Sequence, residues 1–479
     1  MTLGHPRGLW ILGFSELVDR FCYYGIVTVI TLYLAQVFLF NDSHVYAISG
    51  VYSTLGFGLP VIGGFIADRV LGYRKAVILG IIFLILGNIV LCFSGLSCIY
   101  EGLALVVVGI GLFKANAASQ VGTLYPVGDD RKEGAFATFY FGMNIGALLG
   151  PLVFGTAVAL WGWHAGFIFG AVGMCLSLIF YVSNFRYFGQ FLQSEKPAQS
   201  SFQWLCLALI FLALLGAVWM FSHSQYFSDF VWVFGLLMLS VLIFFAIRRN
   251  SQERRHILAF ALFVIFSIFY FACSRQVNTS IELFLDREIN RHVFGFEIPP
   301  EWFASFEPIF ISLSLLIIAP FWRYLGKKNK HPSPHVLVIL GLFFGALSFV
   351  IFGLSALAAS IPSFLIWNAP FWLLLLGYFV LGLGELAIFP SITFLVTDLA
   401  PAKLQATFMG FWLLSSAFSA YIGALMAQLS SIAPGVINSQ EIDLIYEHGF
   451  FKVAAIVFVV MLVALLALPW MRRLMVFRE

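Results

Sequence analysis

The chain has 479 residues, of which 61% are hydrophobic and only 10% are charged, and its formal net charge is +3. An ordinary soluble domain has about 45–50% apolar and about 25% charged residues, so this composition excludes a water-soluble protein. The small net charge gives no indication of nucleic-acid binding, and we expect none.

Apolar runs of roughly 20 to 30 residues recur from end to end, which is the length that a membrane-spanning helix requires. We therefore predict an all-α polytopic membrane protein with fourteen spanning helices, short loops and the lipid bilayer as its surroundings. The predicted helices lie at 8–39, 45–70, 76–98, 102–125, 134–160, 164–185, 203–221, 227–247, 256–285, 303–325, 335–358, 370–398, 404–430 and 450–471.

The basic residues are distributed unequally between the two sets of alternate loops. Twenty of the 26 Lys and Arg residues fall on one set, whereas only Arg287 and Arg291 fall on the other. Since cytoplasmic loops carry the excess of basic residues, both termini are predicted to be cytoplasmic.

The sequence contains no motif that is typical of metal-dependent enzymes or of enzymes with a nucleophilic residue. The six cysteines are scattered through predicted helices without metal-ligand spacing, and the chain contains no HExxH or GxSxG motif. We therefore predict neither a metal site nor an enzyme. All nine histidines fall in loops or near helix ends, so a buried proton carrier must be a carboxylate.

Polar residues follow one face of the first predicted helix. Offsets of three, four, seven and eight from Glu16 place Asp19, Arg20, Tyr23 and Tyr24 on that face. An ionisable group within a bilayer costs about 2.5–3.5 kcal/mol on insertion scales, so its presence indicates a function by default. This register favours a solute pathway, with a structural ion pair as the alternative.

The segment from Glu16 to Gly25 resembles the ExxERFxYYG signature of the proton-dependent oligopeptide transporters, a family of the major facilitator superfamily. Asp19 stands where that family has its second Glu. Further segments that resemble the family in the same order are Gly63–Arg69, Gly109–Asn116, Phe139–Gly146, Gly162–Phe167, Gly384–Leu386 and Met409–Trp412.

The resemblance implies the major facilitator fold, in which two six-helix bundles enclose a central site that opens alternately to either side. It places the bundles at 1–186 and 254–479, with an accessory helix pair within 187–253. The accessory pair indicates a bacterial inner membrane, and we expect a monomer.

The resemblance also implies which side chains contact the substrate. Arg20 and Lys114 are expected to bind the carboxylate of a peptide, and Asn144 to offer an amide to its backbone. Glu385 is expected to face the amino end. Two alternatives remain open, namely an interhelical hydrogen bond of Asn144 and a structural pair between Glu385 and Arg275.

Aromatic residues complete the predicted site. Tyr23 and Tyr24 supply amphipathic walls, and Trp412 closes a side-chain pocket. Because aromatic residues make up 18% of the chain, a plain packing role for Trp412 is the competing interpretation.

The chain departs from the family pattern at four positions. Val27 replaces a second Arg, Phe57 replaces a Tyr, Arg275 replaces a Glu or Asn, and Glu307 replaces an Asn. A positive charge has thus moved to the seventh helix while an acid has appeared on the eighth, where the two could pair. These changes leave the substrate class open.

Proton coupling requires a carboxylate whose affinity for protons changes during transport. Glu16 and Asp19 beside Arg20 are the favoured carriers, because two acids one turn apart that share one Arg titrate as a coupled pair. Glu307 and Glu385 are the alternatives. Beyond the proton gradient, no cofactor is expected.

The sequence therefore predicts a proton-coupled symporter that imports di- and tripeptides or similar small zwitterions. The alternative is a transporter of the same fold for a non-peptide anion, such as a polycarboxylate or a siderophore-like metabolite, as an importer or an exporter.

Overall fold

The computed structural model describes residues 5–126, 129, 131–188, 200–248, 251–293, 295–327, 333–361, 368–394, 405–436 and 438–474. Two compact units are present. Unit 1 consists of Met1–Tyr33 and Val51–Ser224, and unit 2 consists of Leu34–Gly50 and Gln225–Glu479.

Helices dominate unit 1, because its apolar runs satisfy their backbone hydrogen bonds internally, as lipid demands. They are α1 (Arg7–Gln36), α2 (Asp42–Ile66), α3 (Gly72–Leu91), α4 (Leu96–Thr123), α5 (Arg131–Trp161), α6 (Trp163–Ser183) and α7 (Ser200–Ser222). The last residues of α1 and the first residues of α2 belong to unit 2.

Unit 2 is also helical, apart from a short antiparallel hairpin of β1 (His292–Val293) and β2 (Phe296–Glu297). Its helices are α8 (Phe227–Ile247), α9 (Ser251–Arg275), α10 (Ser280–Glu288), α11 (Phe306–Lys327), α12 (Pro334–Ala359), α13 (Ala369–Phe394), α14 (Gln405–Ala427) and α15 (Ser439–Leu474). The two helices of the predicted accessory segment fall in different units. The bundle boundaries at 186 and 254 stay a prediction.

Ten helical stretches among the described residues are long and apolar enough to cross a membrane. They overlap the predicted positions, with a first difference at the predicted loop between 70 and 76. There a π-helical turn, Ala67–Leu71, joins α2 to α3, and the direction changes at Gly72, whose φ is +74°. Glycine adopts this left-handed conformation without a steric penalty.

The predicted helix 256–285 is interrupted in the structure. After α9 ends at Arg275, a 3-10 turn covers Gln276–Asn278, and α10 begins after Thr279. The Ser280 hydroxyl donates a hydrogen bond of 2.9 Å to Oε1 of Gln276 across the break. Polar side chains thus satisfy one another where the regular backbone pattern ends.

Glycines set the spacing between α3 and α4. A Cβ at Gly80 would lie 2.9 Å from the carbonyl oxygen of Gly109, and a Cβ at Gly109 would lie equally close to that of Gly80. Gly87 and Gly102 repeat this arrangement two turns further along, at 2.8 and 3.1 Å. Small residues let the two backbones touch, as they commonly do between helices in membranes.

Close packing at glycines also holds α5 against α1. A Cβ at Gly146 would collide with the Leu17 carbonyl oxygen and would lie 2.8 Å from Cβ of Arg20. One turn later, a Cβ at Gly150 would lie 3.0 Å from the backbone nitrogen of Gly25. The polar segment of α1 is therefore held against the glycine face of α5.

A charged network fixes the beginning of α2 within unit 2. Arg287 on α10 donates two hydrogen bonds to the Asp42 carboxylate, of 2.9 and 2.7 Å, and a third of 3.0 Å to the hydroxyl of Tyr446 on α15. The Ile432 backbone N–H donates to the same carboxylate at 2.9 Å. We call this set the Asp42 latch.

Replacing Gly146 by Ala is expected to destabilise unit 1. The added methyl group has to displace the α1 backbone, and overpacking of this kind typically costs about 1–3 kcal/mol. The thermal unfolding temperature of the purified protein in detergent measures the effect. Gly216→Ala on α7 is the matched control, since no described residue outside its own stretch of helix lies within 4 Å of its new Cβ. Equal unfolding temperatures for the two variants would contradict the close packing of α1 on α5.

Candidate functional site

The polar face of α1 is buried in unit 1. Nε of Arg20 donates a hydrogen bond of 3.0 Å to Oε1 of Glu16, one turn earlier. The residues Glu16, Asp19 and Arg20 are 0, 2 and 8% exposed. Oε2 of Glu16 and Oδ1 of Asp19 accept no hydrogen bond from any described residue. The cluster thus holds two acids, one cation and unused acceptor capacity.

Lys114 on α4 belongs to the same cluster. It lies within electrostatic range of Asp19, and its Nζ lies 4.1 Å from the ring centroid of Phe57 on α2, in cation–π geometry. The backbones of Gly63 and Gly111 touch, and Nδ2 of Asn116 donates 3.2 Å to the Gly63 carbonyl oxygen. This close approach of α2 to α4 brings Phe57 to the ammonium.

Aromatic rings pack beside this charged group, and the predicted substrate contacts of Tyr23 and Tyr24 stay a prediction. The Tyr23 ring stacks on Tyr52 at 5.3 Å and meets Tyr24 and Phe57 edge to face at 5.1 and 5.8 Å. Tyr23 is 4% exposed, so the rings form a wall of low polarity beside the charges. Electrostatic interactions are stronger in such surroundings than in water.

Asn144 lies on α5, whose glycine face packs on α1. Its amide nitrogen donates 3.0 Å to the carbonyl oxygen of Tyr140, one turn earlier on the same helix. This hydrogen bond runs within α5 rather than between helices. The predicted substrate contact of Asn144 stays a prediction.

A second polar cluster lies in unit 2. The Ser274 hydroxyl donates 3.0 Å to Oε1 of Glu307, which is 9% exposed. Arg275 lies within electrostatic range of both Glu307 and Glu385, and the two acids lie within range of each other. Arg275 thus acts electrostatically on both acids that the sequence offered as its alternative partners.

Close packing of α13 positions Glu385 in this cluster. The Tyr270 hydroxyl donates 2.6 Å to the Leu381 carbonyl oxygen, and the Tyr270 ring lies against Gly384. A Cβ at Gly384 would also lie 3.1 Å from the Gly341 carbonyl oxygen on α12. Gly384, beside Glu385, therefore allows α9 and α12 to approach α13 closely.

Trp412 lies on α14 and is partly buried. Its ring meets Phe271 edge to face, with the centroids 5.7 Å apart, and it packs against the hydrophobic core of unit 2. This contact agrees with the packing role that competed with the predicted side-chain pocket.

The buried acids that are absent from the predicted site include Glu282 and Glu301, and a sequence signal could have found the first of them. Glu282 and Glu301 are 2 and 3% exposed. Glu282 falls within the predicted segment 256–285, where any ionisable residue indicates a function by default. Glu301 precedes the next predicted segment by two residues and carried no such signal.

No group of three or more His, Cys, Asp or Glu residues in the described ranges could hold a metal ion. The six cysteines are free thiols. The chemistry available to both clusters is therefore ion pairing, hydrogen bonding and proton exchange.

Comparison with known proteins places the chain in a family. The family model described as "PTR2: POT family" matches residues 74–442. Among similar proteins, an uncharacterised transporter, YclF of Bacillus subtilis (strain 168), is 31% identical over 92% of each chain. Dipeptide and tripeptide permease A of Proteus mirabilis (strain HI4320) is 28% identical over 98% of this chain and 96% of the permease.

Solved structures agree with this assignment. A peptide transporter POT crystallised with sulfate is 29% identical, with a TM-score of 0.82 over 99% of this chain and 97% of that one. A POT family transporter crystallised with 5-aminolevulinic acid is 25% identical, with a TM-score of 0.84 over 98% of each chain. The predicted all-α major facilitator fold is confirmed. The chain belongs to the POT family and is a multi-pass membrane transporter, not an enzyme.

Proposed function

We propose that this transporter is a proton-coupled symporter that imports di- and tripeptides or similar small zwitterions. The observation that carries the proposal is the buried cluster of Glu16, Asp19, Arg20 and Lys114, which combines cations for a carboxylate with acids for a proton. The dipeptide and tripeptide permeases among its relatives support the choice of peptides.

Arg20 and Lys114 bind the peptide carboxylate in this proposal. Glu16 uses the Nε–H of Arg20, and a guanidinium has further N–H donors for a second carboxylate. Lys114 adds a point charge, while its contact with Phe57 leaves the ammonium largely desolvated. Charge-assisted hydrogen bonds of this type are strong in a site of low polarity.

Proton coupling follows from competition at Arg20. A substrate carboxylate that binds the guanidinium weakens its attraction for Glu16 and Asp19, so the acids then favour their protonated forms. One proton crossing about 100 mV releases about 2.3 kcal/mol, and one pH unit adds about 1.4 kcal/mol. Together they support a solute gradient of about 500-fold at ~1.4 kcal/mol per factor of ten.

Glu385 receives the amino end of the substrate in this proposal. Arg275 and Glu307 set its electrostatic surroundings, because Arg275 lies within range of both acids. With one cation shared by two carboxylates, the cluster retains a surplus of negative charge when both acids are ionised. That surplus attracts an ammonium group.

The second candidate is a non-peptide anion carried by the same fold. Arg275 supports it, since a cation in unit 2 is suited to a solute with carboxylates at both ends. A POT family transporter crystallised with 5-aminolevulinic acid shows that other members of the fold bind solutes beyond peptides. A polycarboxylate or a siderophore-like metabolite, moved in or out, fits this alternative.

We further propose the bacterial inner membrane as the location, a monomer as the working form, and cytoplasmic termini. The excess of basic residues on one set of loops supports this orientation.

Neutralising Lys114 is expected to weaken substrate binding. Lys114→Gln removes one charged contact worth about 1.5–3 kcal/mol, which raises KM for dialanine by about 10- to 150-fold. Uptake into proteoliposomes at varied dialanine concentration measures KM. The matched control is Arg131→Gln, which breaks an exposed pair with Asp129 on a loop and changes KM by about twofold at most. An unchanged KM in Lys114→Gln would exclude this lysine from the site.

Removing an acid of α1 is expected to separate proton movement from substrate binding. Glu16→Gln and Asp19→Asn each lose dialanine accumulation driven by an inward proton gradient. Both variants retain exchange of labelled for unlabelled dialanine at equal pH, because exchange needs no net proton movement. If both variants accumulate dialanine at the wild-type level, residues other than Glu16 and Asp19 carry the coupled proton.

Glu385→Gln is expected to discriminate between substrates by their amino group. Dialanine loses an ionic contact, so its uptake falls about tenfold or more, whereas N-acetyl-dialanine, which has no charged amine, is unaffected. Competition for labelled dialanine uptake measures both ligands. The control is Glu101→Gln, an exposed acid on α4. If citrate is carried and dialanine is not, the anion alternative replaces peptides.

A further inference from the structure

Two arginines of unit 1 meet at one tyrosine, where α1 begins and the 3-10 turn after α6 lies. Nη1 of Arg7 donates a hydrogen bond of 3.2 Å to the Tyr187 hydroxyl oxygen, and Nη2 of Arg186 donates one of 3.1 Å to the same atom. The Cζ atoms of Arg7 and Arg186 lie 5.1 and 5.0 Å from the centroid of the Tyr187 ring. We call these three residues the Tyr187 cluster.

The Tyr187 cluster carries two positive charges and no negative one. Its two donor nitrogens lie at most 6.3 Å apart, which is the sum of their distances from the shared oxygen. Neither Arg7 nor Arg186 forms an ion pair with an acid among the described residues, and the nearby loop acid Asp129 is bound by Arg131 at 2.7 Å. Like charges at such a separation repel each other, so an anion that contacts both arginines stabilises the cluster.

The donors of the Tyr187 cluster are suited to a phosphate group. A guanidinium has five N–H donors in a planar fork that matches the oxygens of phosphate, and the Tyr187 oxygen uses one donor of each arginine. The Tyr187 hydroxyl accepts both bonds and donates to no described residue, so its own hydrogen is available for an anion. The cluster therefore presents donors from three side chains and lacks an acceptor with a full negative charge.

The 3-10 turn Phe185–Phe188 holds the cluster in place. The ring of Phe188 is buried and packs against Tyr181 at 5.2 Å and against Phe185 at 5.5 Å. From α3, Cζ of Arg74 lies 3.5 Å from the centroid of the Phe185 ring. Because these contacts fix the turn before any ligand arrives, little conformational freedom is lost when an anion binds.

The first turn of α1 also favours an anion. The helix begins at Arg7, and its first turn contains no acid. The positive end of a helix dipole attracts negative charge at such an N-terminus. A Cβ at Gly8 would lie 3.3 Å from the carbonyl oxygen of Tyr187, so the 3-10 turn packs directly against this end of α1.

An exposed apolar surface continues from the cluster along the membrane-spanning part of α1. Trp10 and Phe14 follow Arg7 at offsets of three and seven, which places all three on one face of the helix, and they are 42 and 37% exposed. The Phe14 ring meets the exposed ring of Phe180 on α6 edge to face, with the centroids 5.1 Å apart. We call Trp10, Phe14 and Phe180 the apolar strip. A cationic group at the end of an apolar strip matches the two parts of a phospholipid.

We propose that the Tyr187 cluster binds the phosphate group of an anionic phospholipid, whose acyl chains lie along the apolar strip. Arg7 and Arg186 donate charge-assisted hydrogen bonds to the phosphate oxygens, and the Tyr187 hydroxyl donates another. The basic loops predict this end of α1 to be cytoplasmic, where anionic lipids attract basic residues at the membrane surface. The bound lipid ties the start of α1 to the end of α6. The proposal is independent of the transported solute and of proton coupling.

Binding of radiolabelled dioleoyl phosphatidylglycerol to the immobilised full-length protein in detergent tests the site. Arg7→Gln/Arg186→Gln is expected to raise the Kd roughly 30-fold, because two arginines at the membrane surface are lost. Tyr187→Phe, which keeps the ring, is expected to raise it about two- to tenfold. Dioleoyl phosphatidylcholine, whose headgroup has no net charge, is expected to bind wild type and variants alike. The unfolding temperature without added lipid checks that each variant is folded.

Arg248→Gln is the matched control, because it removes an exposed arginine that also lies over an aromatic ring, Phe244, at 4.3 Å, but in unit 2. It is expected to change the Kd by about twofold at most. An unchanged Kd in the double variant would overturn the site, as would an equal loss in Arg248→Gln, which indicates general attraction between charges. Inorganic phosphate separates the two sources of the anion. If it displaces phosphatidylglycerol at an equal concentration, the cluster binds dissolved phosphate and the lipid proposal is wrong.

Discussion

A charge within a bilayer needs a partner, and this constraint organises both units of the transporter. An unpaired Arg, Lys or Asp at the centre of a spanning helix costs about 2.5–3.5 kcal/mol on insertion scales. Arg20 accordingly bonds to Glu16, Lys114 lies near Asp19 and over an aromatic ring, and Arg275 shares its charge with two acids. Each cation is balanced by acids that can also bind protons, so the groups that stabilise the helices in lipid also have the chemistry for ion pairing and proton exchange.

Pairing charges on different helices requires backbones that approach closely, and glycine provides this. Gly146 lets α5 pack closely on α1 at Arg20. Gly384 lets α13 pack closely against Tyr270, next to Glu385. In each case a single methyl group would push apart the helices that carry the charges. Packing and electrostatics are therefore not separate features of the site, because the one sets the distances on which the other depends.

Most helices could be predicted from sequence, because apolar length is a local property that the bilayer imposes. The polar face of α1 was predictable for the same reason, since helical spacing fixes which residues share a face. The break after Arg275 was not, because no Gly or Pro marks it. The partners of Arg275 were predicted from family positions, whereas the Asp42 latch joins residues 245 positions apart and no local pattern indicates it. Glu282 could have been selected, as Arg275 was, because it is an ionisable residue inside a predicted spanning helix. Only the structure shows that its carboxylate has no hydrogen-bond partner among the described residues.

The Asp42 latch also bears on how long one conformation lasts. It ties the start of α2 to α10 through a bidentate ion pair and to the Ile432 backbone through one hydrogen bond. These three contacts break together if this segment moves away, whereas the Arg287–Tyr446 bond joins α10 to α15 and is kept. Such a concerted rupture gives the latched state a dwell time set by one barrier rather than by many weak contacts. The Arg287 side chain is 28% exposed, so dissolved ions reach the pair and screen it. Ionic strength in the medium around the latch therefore controls how strongly this pair holds.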